Sequence, residues 1–482
     1  MLLPGQFLDP ELEAKAVTPR LSVTPIIDGF SGNYVRGVQD GDDGHMIQNG
    51  GATATTGILG GPNQFKSTLA DLLTYTPLDH YYDSATSMTF DTEDSKEYQQ
   101  QQLRMPYNKR ILQDGVFGNP RIWMSKQSIM FGDKYWDEVR KPFGVAKTKE
   151  KDFMLETGFF NKGTDLIKIP NPTFELHDSF SRMNFGDVEK KFHNAAVDSK
   201  DRNMEFTRPG LIKTRILNEM PTINPQHGFY TVMTAHLGED MMLDAGYGAQ
   251  PKKILANLEA GKKITGCPPQ FLYMPNNMWF CANQKPHWDG DMTPIYGRNG
   301  EAGKKGDKDV VEIKVMNLRG KAGASGAPFP MLASQAMGML PNLSMFNYLR
   351  ADQKYFGMEA GNNTNMALDF CPDIKMTRNK VWETVDSNYR VQRALELLTG
   401  LCQIRNTMWH MGNIVHTPPA EIFRKLKEQG YDWDIILGET RSHWQFMHIK
   451  EDKYYLSALD LLRMYKGEWM PSWLGKPRNV EK

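Results

Sequence analysis

The chain has 482 residues, of which 40% are hydrophobic and 24% charged, and Lys plus Arg equal Asp plus Glu at 57 each. This composition is typical of a globular protein and excludes a disordered or fibrous chain. A net charge of zero excludes a global positive field, so a nucleic-acid site would have to be a local basic patch. The length allows two or three domains, or one large core domain with appendages.

The cysteines and the first residues of the chain indicate the cellular compartment of the protein. The four cysteines are widely spaced, without a CxxC pair or a dense disulfide pattern, which favours a reducing environment. Acidic residues stand near the start where a signal peptide carries its basic and apolar parts, and no apolar run reaches the roughly 18 residues of a membrane span. We therefore expect a soluble, cytoplasmic protein.

In chain order, residues 1–50 are rich in Pro, Gly and Asp and predict an extended arm or small cap with little core of its own. A strand over residues 53–59 then ends in glycines and is followed by a helix over residues 67–74. A second strand, residues 87–90, precedes a polar helix that begins near Ser95. Further strands are predicted over residues 166–169 continued by 173–176, and over 228–235, 270–273, 278–282 and 310–316.

Strands that alternate with helices predict an α/β domain with a largely parallel sheet. Beyond residue 340, apolar residues recur at three- and four-residue spacing, as in Val391, Ala394, Leu395, Leu398 and Leu401, which is typical of helices. We therefore predict an α/β core over residues 46–340. An N-terminal arm or oligomerisation segment over residues 1–45 precedes it, and a mainly helical C-terminal domain over residues 341–482 follows.

The strongest motif lies between the first strand and its helix. Gly60-Gly61-Pro62-Asn63-Gln64-Phe65-Lys66-Ser67 matches the Walker A phosphate loop at its first Gly, its Lys and its Ser, but Phe65 replaces the second Gly. In such a loop, backbone N–H groups face phosphate oxygens, Lys66 reaches the β- and γ-phosphates, and Ser67 holds Mg²⁺. We expect ATP and Mg²⁺ as cofactors, with Thr68 next to the loop also near the nucleotide. A surface turn is the alternative for the loop taken alone.

Three polar residues at later strand ends complete the predicted site. Asp178 ends an apolar strand and is predicted to hold the Mg²⁺ shell. Glu93, after the strand over residues 87–90, is predicted to polarise the attacking water, although Asp91, Glu93 and Asp94 could instead cap the next helix. His236 is predicted to sense the γ-phosphate, and the alternative is an ordinary hydrogen-bonded polar residue.

At these residues the chain resembles the RecA superfamily, and within it the bacteriophage recombinases of the UvsX type. GPNQFKS is similar to their variant phosphate loop, FDTEDS to the strand end with the catalytic glutamate, LHDSFSRM to the Walker B strand, and VMTAHLGE to the strand with a phosphate-sensing His. The four landmarks occur in the family's order. The resemblance implies a RecA-like P-loop core that hydrolyses ATP as a homo-oligomer, in a helical filament or a hexameric ring.

The resemblance also implies that the loops after Asp178 and after His236 face DNA. Their candidate contacts are Lys190, Lys191, Lys200, Arg202, Lys213 and Arg215 in the first, and Lys252, Lys253, Lys262 and Lys263 with Tyr247 in the second. A solvated surface remains the alternative. Arg319, and after it Lys321, would reach a neighbouring subunit's ATP site as an arginine finger; the alternative is a basic turn that faces solvent.

Three functions follow from this interpretation. The first is a recombinase that assembles on single-stranded DNA, pairs it with double-stranded DNA and promotes strand exchange. The second is a hexameric replicative helicase of the DnaB type, and the third is a structural protein with a vestigial phosphate loop.

Overall fold

The computed structural model describes eleven parts of the chain, and every structural statement below concerns them alone. They are residues 18–37, 44–149, 154–160, 166–194, 208–239, 253–321, 326, 328–359, 365–407, 416–443 and 453–474.

Eighteen strands occur in these parts. They are β1 (Asn33–Arg36), β2 (Met46–Asn49), β3 (Thr55–Gly60), β4 (Thr86–Asp91), β5 (Ile122–Lys126), β6 (Met154–Phe160), β7 (Leu166–Pro170), β8 (Thr173–Asp178), β9 (Phe229–Glu239), β10 (Lys262–Ile264), β11 (Asn277–Pro286), β12 (Val310–Gly320), β13 (Pro328–Ser334), β14 (Gly338–Met339), β15 (Met366–Leu368), β16 (Cys371–Met376), β17 (Thr440–Arg441) and β18 (Tyr454–Tyr455).

The α-helices of the same parts surround the sheet and fill the C-terminal region. They are α1 (Pro25–Ser31), α2 (Lys66–His80), α3 (Tyr98–Leu103), α4 (Lys109–Asp114), α5 (Gly132–Lys134), α6 (Lys141–Lys149), α7 (Gly186–Asn194), α8 (Arg208–His227), α9 (Pro341–Asn347), α10 (Val381–Ser387), α11 (Tyr389–Thr407), α12 (Pro419–Glu428), α13 (Trp433–Gly438) and α14 (Ala458–Lys466). None of these helices is long and apolar enough to cross a membrane.

A ten-stranded sheet forms the centre of the molecule. Its strand order is β14-β13-β12-β11-β3-β9-β8-β4-β5, with β10 paired to the end of β9. The six strands from β11 to β5 are parallel, and β12, β13 and β14 extend the sheet in antiparallel fashion. The predicted α/β class with a mostly parallel central sheet is therefore confirmed, and so is the mainly helical C-terminal region.

Successive residues of the inner strands belong to two different cores. Ile58 and Val232 pack into the larger core, and Leu59 and Met233 pack into the smaller one. Because successive side chains of a strand point to opposite faces, the two cores lie on opposite sides of the sheet. Helix α2 covers the first face and α8 the second. Parallel sheets require both faces to be covered in this way.

The N-terminal segment contributes more to the core than its composition predicted. Leu21, Val23, Ile26 and Ile27 are fully or almost fully buried in the larger core, and α1 packs against α11. The apolar run over residues 21–27 thus has no core of its own, as predicted, but it is an integral part of the shared one. Residues from all three predicted domains join that core, and the limits at 45/46 and 340/341 stay a prediction.

Two predicted strands were wrong, and proline explains both. The strand expected over residues 166–176 is two strands: β7 forms a hairpin with β6, whereas β8 enters the central sheet. Pro170 ends β7, and Asn171 and Pro172 lie between the two strands. Proline has no N–H for a continuous ladder. Residues 270–273 were expected to be a strand, but a 3₁₀ helix spans Pro269–Leu272, since Pro268 and Pro269 favour the start of a helical turn.

Candidate nucleotide-binding site

The predicted phosphate loop connects β3 to α2 at the carboxyl edge of the sheet. Asn63 and Phe65 both have positive φ, and Phe65 immediately precedes the helix with φ 57° and ψ 23°. This left-handed conformation is the one that glycine adopts most easily, which accounts for the glycine expected there. Phe65 adopts it at a cost of about 1–2 kcal/mol, and its partly buried ring packs against the larger core.

Two side chains of the loop bind its own backbone. The N–H of Gly61 donates to Oε1 of Gln64 at 2.6 Å, and Nζ of Lys66 donates to the carbonyl of Gly61 at 2.7 Å. Lys66 is buried, and burial lowers its pKa, whereas nearby Cys281, Asp178 and Glu93 act in the opposite direction. The loop thus folds around an ammonium group near two carboxylates.

Ser67, in the first turn of α2, lies near Asp178 at the end of β8. Thr234 donates to Oδ1 of the Asp178 carboxylate at 2.5 Å, and the nearby Ser67 hydroxyl helps to lower its pKa. Burial alone would raise the pKa of Asp178. Its ion pair with Lys96 and the hydrogen bond from Thr234, with a contribution from Ser67, outweigh burial and hold the pKa below its usual value. Asp178 is therefore a buried, charged carboxylate.

Glu93 and His236 lie at the same edge and contact each other. His236 Nε2 is 2.6 Å from Glu93 Oε1, and Ser179 Oγ donates to that oxygen at 2.8 Å. Ser181 Oγ is 3.0 Å from Ser179 Oγ and accepts the N–H of His236. The sheet register explains the cluster, because Gly60 pairs with His236 in the β3/β9 ladder and Asp91 pairs with Asp178 in the β4/β8 ladder.

Of the three acidic residues that could cap the next helix instead of acting in catalysis, Asp91 is the one that binds backbone N–H groups. Its carboxylate accepts the N–H of Glu93 at 3.0 Å and the N–H of Lys96 at 2.7 Å, so it stabilises the turn after β4. Asp94 accepts a hydrogen bond from Ser128, and α3 begins only at Tyr98 without a side-chain cap. Glu93 is free of any capping role among these contacts and faces Ser179 and His236.

Sequence reasoning missed four side chains of this site, which are Lys96, Thr234, Ser179 and Ser181. Lys96 is 1% exposed and bridges Asp71 and Asp178 with its ammonium group. Burial alone would lower its pKa, but the two carboxylates raise it. A lysine three residues beyond a strand-end glutamate matches no motif, so only the fold reveals it. Ser179 directly follows Asp178, and that adjacency was the one available signal.

Arg319 and Lys321 lie away from the phosphate loop of their own chain. Arg319, in β12, pairs with Met278 of β11, which pairs with Gly57 near the start of β3. Its guanidinium donates to the carbonyl of Tyr273. Burial lowers the pKa of Lys321, and Arg319 lowers it further. Within one chain the pair is not part of the site, and a role in a neighbouring subunit's site stays a prediction.

The predicted DNA contact at Lys213 was wrong for the chain as it folds. Lys213 is 4% exposed, its Nζ donates to the carbonyls of Ser181 and Gly266 at 2.9 and 2.8 Å, and burial lowers its pKa to about 8. Lys213 therefore connects α8 to the segments that contain Ser181 and Gly266. Position 213 lies on the inner face of α8, and a lysine is tolerated at such a buried position when carbonyls accept hydrogen bonds from its ammonium group.

The remaining basic candidates are distributed over the surface. Lys190, Lys253 and Lys263 are exposed, Arg215 pairs with Glu219, and Lys262 pairs with Glu239 and Glu259. The side chain of Lys191 and the whole of Lys200, Arg202, Tyr247 and Lys252 lie outside the described residues. DNA contact by any of them stays a prediction.

The donors present fit a nucleotide with Mg²⁺. Mg²⁺ takes oxygen ligands and usually one or two protein oxygens, with phosphates and water completing its shell. Ser67 and Asp178 offer a hydroxyl and a charged carboxylate close to each other. Gly60 leaves room for the Lys66 stem, since a Cβ there would lie 2.9 Å from Lys66 Cγ. No group of three or more His, Cys, Asp or Glu side chains that could hold a metal occurs among the described residues.

Comparisons with known proteins complete the description. No protein-family model matches the chain, and no curated protein matches it either. Among solved structures, the chain is similar to the crystal structure of the RadB recombinase at 12% sequence identity and a TM-score of 0.30. That similarity covers 60% of this chain and 92% of the other.

Proposed function

We propose that this chain is an ATP-hydrolysing P-loop protein of the RecA type that acts on DNA as a UvsX-like recombinase. One observation carries the nucleotide part of the proposal. Lys66, Ser67, Glu93, Asp178 and His236 lie in or shortly after four parallel strands, and they come together at one carboxyl edge of the sheet. In open α/β sheets, ligands bind at this edge.

Each of these residues has a task that its contacts support. The loop N–H groups and the start of α2 bind phosphate, and Lys66 neutralises charge on the β- and γ-phosphates. Ser67 and Asp178 would hold Mg²⁺, which would supply charge neutralisation during phosphoryl transfer. Glu93 accepts a proton from the attacking water or orients it, and His236, now paired with Glu93, responds to the γ-phosphate. Thr68 supports the loop from the first turn of the helix.

The proposal that the chain binds DNA rests on the starting positions of the loops after Asp178 and after His236. The segments after Asp178 and after His236 leave the sheet at the nucleotide edge, and exposed Lys190, Lys253 and Lys263 lie on them or beside them. Lysines at these positions can neutralise DNA phosphates without base specificity. The chain would assemble on single-stranded DNA as a homo-oligomer, with Arg319 of one subunit, and then Lys321, at the ATP of the next.

The first experiment measures ATP hydrolysis with and without single-stranded DNA. We expect the rate to rise with DNA, and Lys66→Ala to abolish hydrolysis and weaken nucleotide binding. Lys304→Ala is the matched control, because Lys304 is an exposed lysine in the loop between β11 and β12. An intact protein that binds no ATP would overturn the nucleotide site, whereas ATP hydrolysis without any response to DNA would overturn only the DNA part.

Electron microscopy with DNA and a nonhydrolysable ATP analogue then separates two assemblies. Continuous helical filaments on single-stranded DNA are expected of a recombinase. Closed hexameric rings would instead favour the DnaB-type helicase. A strand-exchange assay with homologous single-stranded and double-stranded DNA tests the activity itself.

A further inference from the structure

Lys96 is a buried charged side chain at the site to which the proposed reaction assigns no role. Its Nζ lies 2.6 Å from Oδ1 of Asp71 and 3.2 Å from Oδ2 of Asp178, and the side chain is 1% exposed. Asp71 belongs to α2 and Asp178 to β8. The ammonium group therefore joins the helix that follows the phosphate loop to the strand that presents the proposed Mg²⁺ ligand.

The backbone of Lys96 is fixed as firmly as its ammonium group. Asp91 accepts the N–H groups of both Glu93 and Lys96, which closes a tight turn directly after β4. The turn directs Glu93 outward to Ser179 and His236, and Lys96 inward to the two aspartates. The same few residues thus determine the positions of the proposed water-orienting glutamate and of the lysine.

Asp178 is held from two sides. Lys96 contacts its Oδ2, and Thr234 donates to its Oδ1. A carboxylate has about four acceptor sites, so one contact at each oxygen fixes its plane and leaves room for Ser67 and for a metal ion or its water. Partners of this kind around a ligating carboxylate control its orientation, and their loss typically weakens metal binding or activity by about 10- to 100-fold.

We propose that Lys96 is a positioning residue that holds the Asp178 carboxylate in the orientation required for Mg²⁺–nucleotide binding. This proposal rests on the proposed nucleotide function. A purely structural lysine would serve only to neutralise Asp71 and Asp178 within the core. The two roles predict different Mg²⁺ binding when the loss of the Lys96 charge is balanced by removal of the Asp71 charge.

The test compares wild type with Lys96→Met, Asp71→Asn and the double variant Lys96→Met/Asp71→Asn. The single lysine change leaves two buried carboxylates without their shared partner and is expected to lower the melting temperature. The double variant removes one positive and one negative charge, so the local net charge is unchanged and stability should largely return. Asp71→Asn alone keeps Lys96 on Asp178 and serves as the matched control.

Three measurements are made on each protein that folds. They are the Kd of a fluorescent ATP analogue without Mg²⁺, the Mg²⁺ concentration that half-saturates its metal-dependent signal, and the position of Asp178 in a crystal structure. For the double variant we expect an unchanged Kd without Mg²⁺ and a Mg²⁺ half-saturation at least about tenfold higher. We also expect the Asp178 carboxylate to have rotated away from Thr234.

A double variant with wild-type Mg²⁺ half-saturation and an unmoved Asp178 would overturn the positioning role and leave Lys96 as a structural ion pair. Failure of the proposed function looks different, since wild type itself would then bind no nucleotide. In that case the crystal structures still decide whether Lys96 orients Asp178.

Discussion

His236 Nε2 lies 2.6 Å from Glu93 Oε1, although the strands that carry the two residues are not neighbours. Strand β8 lies between β9 and β4, and Ser179 at its end donates to the same glutamate oxygen. Three adjacent strand ends therefore converge on one carboxylate. A displacement of Ser179 or of His236 would therefore act on Glu93 directly, because each contacts its carboxylate through one hydrogen bond.

Replacement of Glu93 by Gln should separate nucleotide binding from hydrolysis. The amide keeps the shape of the side chain but cannot accept a proton, so we expect nucleotide affinity within about threefold of wild type and kcat lower by about 100-fold or more. Single-turnover hydrolysis and equilibrium binding of a fluorescent ATP analogue measure the two quantities. Glu97→Gln is the control, because Glu97 is exposed and its side chain caps no helix. Normal hydrolysis by Glu93→Gln would remove Glu93 from the mechanism.

Gln64 should oppose nucleotide binding in the conformation described. Its Oε1 accepts the Gly61 N–H, which is one of the loop donors expected to face phosphate. Gln64→Ala frees that donor, and the net value of one hydrogen bond corresponds to nucleotide binding tighter by about 3- to 10-fold. Gln64→Glu keeps an acceptor and adds a negative charge, so it should weaken binding. Isothermal titration with ATP and Mg²⁺ measures both, and weaker binding by Gln64→Ala would show that the amide contacts the nucleotide instead.

Asp28 should make stability depend on pH. It is buried in the N-terminal segment and accepts hydrogen bonds from Ser22 and the N–H of Val23, and burial raises its pKa from 3.8 to about 7 despite these bonds. Above pH 4 the unfolded chain loses this proton while the folded chain retains it until about pH 7. The contribution of Asp28 is therefore complete below pH 4 and is lost as the pH rises to 7, with a limit on the order of 4 kcal/mol.

Asp28→Asn isolates this dependence, because asparagine does not titrate and its amide can take the place of the protonated carboxyl beside Ser22. The melting temperature of the variant minus that of wild type should increase from pH 4 to about pH 7 and level off above it. The two proteins should be most alike at pH 4, which serves as the internal control. A difference that stays constant over this range would mean that Asp28 titrates in the folded protein as it does in the unfolded chain.

The sequence predicted the elements whose signals are local. The glycine-rich loop between an apolar strand and a helix identified Lys66 and Ser67, and strand ends identified Glu93, Asp178 and His236. The structure brings these five residues to one sheet edge. Local signals failed where neighbouring prolines break a pattern, as at residues 166–176 and 268–273, because apolar periodicity alone does not show which backbone N–H groups can join a sheet.

The sequence by itself determined the fold class, the position of the glycine-rich loop between β3 and α2, and the residue types at the ends of four strands, since all of these follow from short-range periodicity and backbone geometry. Only the tertiary structure decided which side chains meet. In the structure Lys213, which was a candidate for DNA contact, is buried and donates to two backbone carbonyls. Lys96 lies between Asp71 and Asp178, and His236 contacts Glu93. The physical reason is that strand order and register are set by burial over the whole chain, and no segment carries that information alone.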